Sequence, residues 1–406
     1  MLWRIAWRGL GRNRRRAWLT GGAIAFSVLI LAFFMSLQTN SYRTMIDNAT
    51  QLTAGHVQIQ RPDYLDNPRQ RATVGGVAAL LTRLRREPEV VGAFPRAIAF
   101  ALVSHGERCF GAQVQGVQPD AERRYSSIWQ YIEPGGRFLQ ADNANEAIVG
   151  ALLARNLGAR RGDELVIIGT SNQGSVAALV VRVVGIVNSG IAELDRALLQ
   201  LPLTAFRSAF ELHDEASVVV VMAANPARGR ELAAQLQPLV APNVARAWPQ
   251  LMPELEQAIA VDRASGYVLY VLLGIMVVFS IVNTFIMTVF ERTREMGMLM
   301  AVGMTPGQLQ GMLQLEALML CGLGVIAGVA LAWGVLTITG FVGLPLGDQG
   351  DAVLRGFHMP SHLYPRPGWR DLLVPSAMLL VATQIAAFLP TLKIRRLLPV
   401  EALRAV

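Results

Sequence analysis

Residues 267–290 run for 24 positions without a charged side chain, and residues 317–347 run for 31. A bilayer core is crossed by about 20 apolar residues in a helix. Inside it, every main-chain polar group must be bonded within its own helix or a closed barrel. Stretches this long therefore restrict the chain to membrane-spanning helices. Two more have the length and character: AWLTGGAIAFSVLILAFFMSL at 17–37 and LLVPSAMLLVATQIAAFLPTL at 372–392. Composition agrees, since 16% of the residues are charged where soluble domains carry about a quarter.

The arginines set an orientation. Arg4, Arg8, Arg12, Arg14, Arg15 and Arg16 precede the first span, which places the N-terminus in the cytoplasm. Lys393, Arg395, Arg396 and Arg404 follow the last span, and four spans return the chain to the same side. The expected order is a cytoplasmic helix (1–16), the first span (17–40), an exported domain (41–263) and the second span with its stalk (264–290). A short cytoplasmic helix (291–304), the third span (305–343), an exported loop (344–371), the fourth span (372–392) and a cytoplasmic tail (393–406) follow. Within 1–16, Trp3, Ala6, Trp7 and Leu10 share one helical face, and Arg4, Arg8, Arg12 and Arg15 share the opposite one. That pattern suits a helix lying on the membrane surface; a basic flank that only fixes topology is the plainer reading. The first apolar run exceeds a secretory signal in length and lacks a small-residue cleavage site after it, so an uncleaved anchor is expected.

The exported region reads as mixed α and β. HVQIQ (56–60) alternates like a strand. Residues 97–117 read as two strands about a turn at 104–107, and DELVIIG, ALVVRVVGIV and SVVVVMA are further β-rich runs. Residues 79–90, 145–159 and 227–240 read as helices, and 252–270 as a helix continuing into the second span. The fold class is therefore an α-helical membrane protein with four transmembrane helices and a large α+β extracytoplasmic domain between the first and second.

Several chemistries are excluded. Lys393 is the only lysine, Ile394 follows it and no glycine loop precedes it, so the chain has no P-loop and no ATPase site of that type. The histidines are scattered, and Pro360 between His358 and His362 argues against a helical ligand pair, so no metal is expected. No catalytic constellation stands out. Cys109 and Cys321 read as unpaired thiols. The net charge of +8 sits largely at the chain ends without a nucleic-acid motif, so nucleic acid is not an expected partner. Asn283, Glu316 and Gln384 are polar positions in or beside the spans, where such residues invite a functional explanation.

ERTREMGMLMAVGMTPGQLQGM, at 291–312, lies between two apolar helices and opens with four charges in five positions. Met296, Leu299, Met300 and Gly303 fall on one helical stripe. Gly303 is placed to end that helix, Thr305 to cap the next, Pro306 to take its first position and Gln308 to complete a capping box. The first of these helices presents Glu291, Arg292, Arg294 and Glu295, and its methionines suit an adaptable contact surface. In the third span, Gly324 and Gly328 have the spacing that lets two helix backbones approach.

This segment resembles the E-R-x-x-E-[IM]-G-x-L-x-A-x-G pattern of the FtsX/MacB-type ABC transporter permeases, matched by Glu291, Arg292, Glu295, Met296, Gly297, Leu299, Ala301 and Gly303. AWRGLGRNRRRAWLT (6–20) and LPTLKIRRLLPVEALR (389–404) are similar to the family's two ends, and 136–167 to a block of its periplasmic core, through Gly136, Gly150, Leu157, Gly158, Gly162 and Asp163. In layout the chain is most similar to the lipoprotein-releasing (Lol-type) members, without the fused ATPase of MacB. The resemblance implies that Glu291, Arg292, Arg294, Glu295, Met296, Gly297 and Leu299 form a coupling helix that docks on a separate ATPase dimer. It implies that ATP and Mg are bound by that partner and no cofactor by this chain. It implies a second permease copy or paralogue, with Gly324 and Gly328 at helix packing or dimer contacts, in a bacterial inner membrane. The expected cargo is a lipoprotein, lipid or other amphiphile, passed to a periplasmic carrier protein. Two alternatives stand beside it: a mechanotransmitter that drives an exported enzyme or sensor, and an ATP-independent receptor.

Overall fold

The computed structural model describes residues 14–140, 145–291, 293–345 and 362–394. Among them the chain divides into a helical unit, within Met1–Tyr42, Ile259–Leu346 and His362–Val406, and an α+β unit within Arg43–Ala258.

The helical unit is built on α1 (Arg14–Ala49), α2 (Pro253–Glu291), α3 (Thr293–Ala301), α4 (Pro306–Val342) and α5 (Trp369–Ile394). Helices α1, α2, α4 and α5 are long and apolar enough to cross a membrane. Helix α1 continues well past its apolar run, because residues 38–49 contain neither glycine nor proline to stop it. Helix α2 begins at Pro253, whose fixed φ and missing N–H suit a first helical position. Ile24, Ile281, Ala317, Cys321 and Ala387 bring all four long helices into one buried cluster. Polar bonds join the same helices nearer one end. Thr39 Oγ1 donates to Asp371 Oδ1 at 3.1 Å, Tyr42 OH to Asp262 Oδ2 at 2.5 Å and Tyr270 OH to Gln38 Oε1 at 2.9 Å. Gln384 has a partner as well: Gln314 Nε2 donates to its carbonyl at 2.8 Å and to its Oε1 at 3.0 Å, joining α4 to α5.

The α+β unit carries nine strands in one sheet: β1 (Val57–Gln60), β2 (Val90–His105), β3 (Arg108–Val117), β4 (Glu146–Gly150), β5 (Glu164–Thr170), β6 (Val176–Val187), β7 (Leu198–Pro202), β8 (Val218–Ala223) and β9 (Val244–Ala247). Their order is β9-β1-β8-β2-β3-β7-β4-β6-β5, and β5 pairs back onto β2 through Leu102↔Ile168 and its neighbours. Six strands thus close into a ring. Its interior is filled by Ala99, Val103, Val114, Val149, Ile167 and Leu199, with Phe206 and Phe210 of the helix Leu203–Phe210 packed among them. The other strands, β1, β8 and β9, pack with the helices Val77–Leu84 and Gly229–Val240 around Ile59, Val219, Val221, Leu84 and Leu236. Between these cores lies a buried ion pair. Arg96 Nε is 2.5 Å from Glu122 Oε1 and Nη2 is 2.8 Å from Oε2, while Nη1 donates to the Thr53 carbonyl.

Two expected helices differ. The helix read over 79–90 is Val77–Leu84, and the chain has turned into β2 by Val90, because Pro88 cannot continue a helix. The helix read over 145–159 is strand β4 followed by the helix Ala151–Leu157. Strand β4 lies between β6, to which it is parallel, and β7, and all five of its residues are buried. It therefore shows no polar alternation to distinguish it from a buried helix.

Candidate functional site

Helix α3 is defined at its C-terminus by backbone chemistry. Gly303 sits at φ 106°, a region L-residues with a Cβ avoid. Met304 N donates to Leu299 O at 3.0 Å and Gly303 N to Met300 O at 3.0 Å, the paired bonds of a Schellman stop. The next helix starts at once. Gln308 N donates to Thr305 Oγ1 at 3.3 Å and Thr305 N to Gln308 Oε1 at 3.1 Å, with Pro306 in the first turn. This reciprocal box satisfies donors that a helix start leaves unbonded.

The stripe read as a contact surface points inward in part. Met296 is 2% exposed and packs with Leu309, Met312 and Leu313 of α4, with Met300 and Met304 at the rim. Gly297 is buried too. Met296 therefore anchors α3 to its own chain, since two methionine-rich faces pack readily on one another. The outer face of α3 carries Arg294, Met298 and Leu299, while Glu295 is half-buried; Glu291, expected on this helix, is the exposed last residue of α2. Arg292 lies outside the described residues. Met298 was not singled out in the sequence; its position two residues from Met296 places it on the opposite side of the helix.

Gly324 and Gly328 are used within the chain. A Cβ on Gly324 would lie 2.9 Å from Gly21 O, and one on Gly328 would lie 2.7 Å from Ala25 O. Their spacing brings α4 against α1, a helix-packing contact within the chain. Of the expected membrane-surface residues, Arg15 is exposed, and Arg4, Arg8 and Arg12 lie outside the described residues.

The ring of the α+β unit has an apolar outer face that sequence reading passed over. Phe100 and Leu102 of β2, Val166 and Ile168 of β5 and Val180 of β6 are all exposed. Leu102 is paired with Ile168 and Val166 with Val180, so the side chains form one surface. Strict alternation in β2, with Ala99, Ala101 and Val103 inside, puts these larger residues outside. The signal was present: both faces of the strand are apolar. Beside them Phe100, Leu102, Gly111, Gln113, Ile168 and Thr170 line a depression of about 580 Å³.

Among the described residues, no group of three His, Cys, Asp or Glu comes together in a manner that holds a metal, and Cys109 and Cys321 are free thiols.

A family model described as the MacB-like periplasmic core domain matches residues 17–239, and one described as the FtsX-like permease C-terminal region matches residues 267–399. The lipoprotein-releasing system transmembrane protein LolC of Neisseria meningitidis serogroup B is 24% identical over 94% of this chain and 92% of its own length. The corresponding LolE of Haemophilus influenzae is 23% identical, with the same shares covered. The macrolide export ATP-binding/permease protein MacB of Hyphomonas neptunium is 39% identical over 64 residues, 16% of this chain and 10% of that protein.

Proposed function

The chain belongs to the FtsX/MacB-type family of ABC transporter permeases, and from that premise we propose that it is the transmembrane subunit of a lipoprotein-releasing machine. A separate ATPase dimer binds ATP and Mg and docks on α3 and the residues leading into it through Glu291, Arg292, Arg294, Glu295 and Leu299. A second permease copy or a paralogue completes the assembly in the inner membrane, with both termini of each chain cytoplasmic. The cargo is a lipoprotein, and a periplasmic carrier protein receives it.

The anchoring of α3 carries the coupling reading. Met296 is buried against α4, so displacement of the outer face of α3 is delivered to a membrane helix and not absorbed by a loose connector. The cargo reading draws on the relatives' names and on the apolar face of the ring. A contiguous apolar surface on an aqueous domain marks an interaction site, and a lipid-anchored client matches it better than a soluble enzyme does.

The test is the double variant Glu291→Ala, Glu295→Ala, purified from its native membrane. Loss of ATP-driven release with the permease assembly intact supports the assignment. Undiminished coupling would overturn it.

A further inference from the structure

Along one side of the α1–α4 contact runs a groove of about 770 Å³, walled by Trp18, Gly22, Phe26, Leu323, Ala327 and Leu331. Small residues on the facing helices create it: they let the backbones approach, yet leave a trough beside the contact. A Cβ on Gly22 would meet nothing within 4 Å, and Trp18 is 80% exposed. Among the described residues, none that lines the trough is charged. From Ala17 to Leu29 it follows α1 for about 18 Å, a little over half of a hydrocarbon core roughly 30 Å thick. Its depth is that of one leaflet.

The end of the groove at Ala17 lies next to the start of α1, whose first three residues are Arg14, Arg15 and Arg16; Arg15 is exposed. Tryptophan beside a basic cluster marks the interface of a bilayer. An apolar trough one leaflet deep, with a cationic end, complements a lipid with a negative headgroup. A zwitterionic lipid satisfies the trough but gains little from the arginines. A second copy of the chain, docked symmetrically through α1, would bring its own three arginines to the same level.

We propose that this groove binds an anionic phospholipid, with an acyl chain between α1 and α4 and the headgroup at the level of Arg14–Arg16. The inference rests on the membrane placement of α1 in the reading above and is independent of the coupling role of α3.

Native mass spectrometry of the full chain with its co-purified partners, titrated with phosphatidylglycerol or phosphatidylcholine, tests it. Phosphatidylglycerol is expected to bind saturably and in preference. Gly22→Leu, which fills the trough and raises helix propensity, removes that site. Arg15→Gln weakens phosphatidylglycerol binding about five-fold and leaves phosphatidylcholine unaffected. Equal affinity for the two lipids, or preference unchanged in both variants, overturns the proposal. Cross-linking between two Gly22→Cys chains would place a second copy in the groove and overturn it too. ATPase retention, read from the same spectra, reports separately on α3, so equal affinity of the unaltered chain for the two lipids with the ATPase retained counts against the groove alone.

Discussion

His56 stands where α1 and its final turn give way to β1, and its ring is buried. Its Nδ1 accepts from Ala223 N at 2.9 Å, and its main-chain carbonyl accepts from Trp248 N at 3.0 Å. Burial holds the imidazole below its ordinary value of 6.5, and protonation at Nδ1 would break the bond it accepts from Ala223 N. The unfolded chain thus takes up a proton at a pH where the folded chain does not. The stability tied to neutral His56 is complete above the ordinary value and declines as pH falls toward the lowered one. Hydrogen exchange in Val218–Ala223 should therefore accelerate as the pH drops from about 7 to 5 beyond its intrinsic pH dependence. His56→Asn should flatten that excess. None of this was legible in the sequence, where His56 was one of five scattered histidines. The same holds for Arg96 and Glu122. Their pairing across 26 positions is set by the course of β2, β3 and the helix Pro119–Tyr125 after β3, which no local pattern encodes.

At the scale of elements, the boundaries of α3 were readable because they are written in local chemistry: a glycine with positive φ, then a Thr-Pro-x-Gln start. The direction of its methionines was not, because the opposite faces that carry Met296 and Met298 look alike until α4 is in place. Met296→Ala should cost about 2–5 kcal/mol locally. Hydrogen exchange should then rise over 293–301, and ATP-driven release should fall while the ATPase remains bound. A variant that exchanges faster yet releases normally would show that α3 transmits no force. The long helices were evident from their lack of charge. Strand β4 and the buried strand β7 were not, because a strand covered on both faces has lost the alternation that identifies it. The glycine pair of α4 was legible as a close contact. Its partner was not, since the spacing fits a helix of the same chain as well as one from another.

For the whole molecule, the two family models meet in one chain, a periplasmic core at 17–239 and a permease region at 267–399. The outer face of the ring is where cargo chemistry should be felt. Replacing Phe100 and Ile168 with aspartate should reduce capture of a lipid-anchored client about 100-fold or more, given about 1.5–3 kcal/mol for each large apolar side chain fully buried. Co-purification of the ATPase should be unchanged. Capture measured with the same client lacking its lipid anchor should be weak for both forms.

The closure of six strands carries one more consequence. A sheet with a terminal strand can recognise a peptide by adding it as a further strand, which reads main-chain groups and the side chains at alternate positions. The ring β2-β3-β7-β4-β6-β5 has no terminal strand. A client meeting it finds only side chains, and those on the apolar face carry no hydrogen-bonding code. Discrimination there would depend on greasiness, not on order of residues, so proteins with nothing in common but an acyl anchor would be equivalent guests.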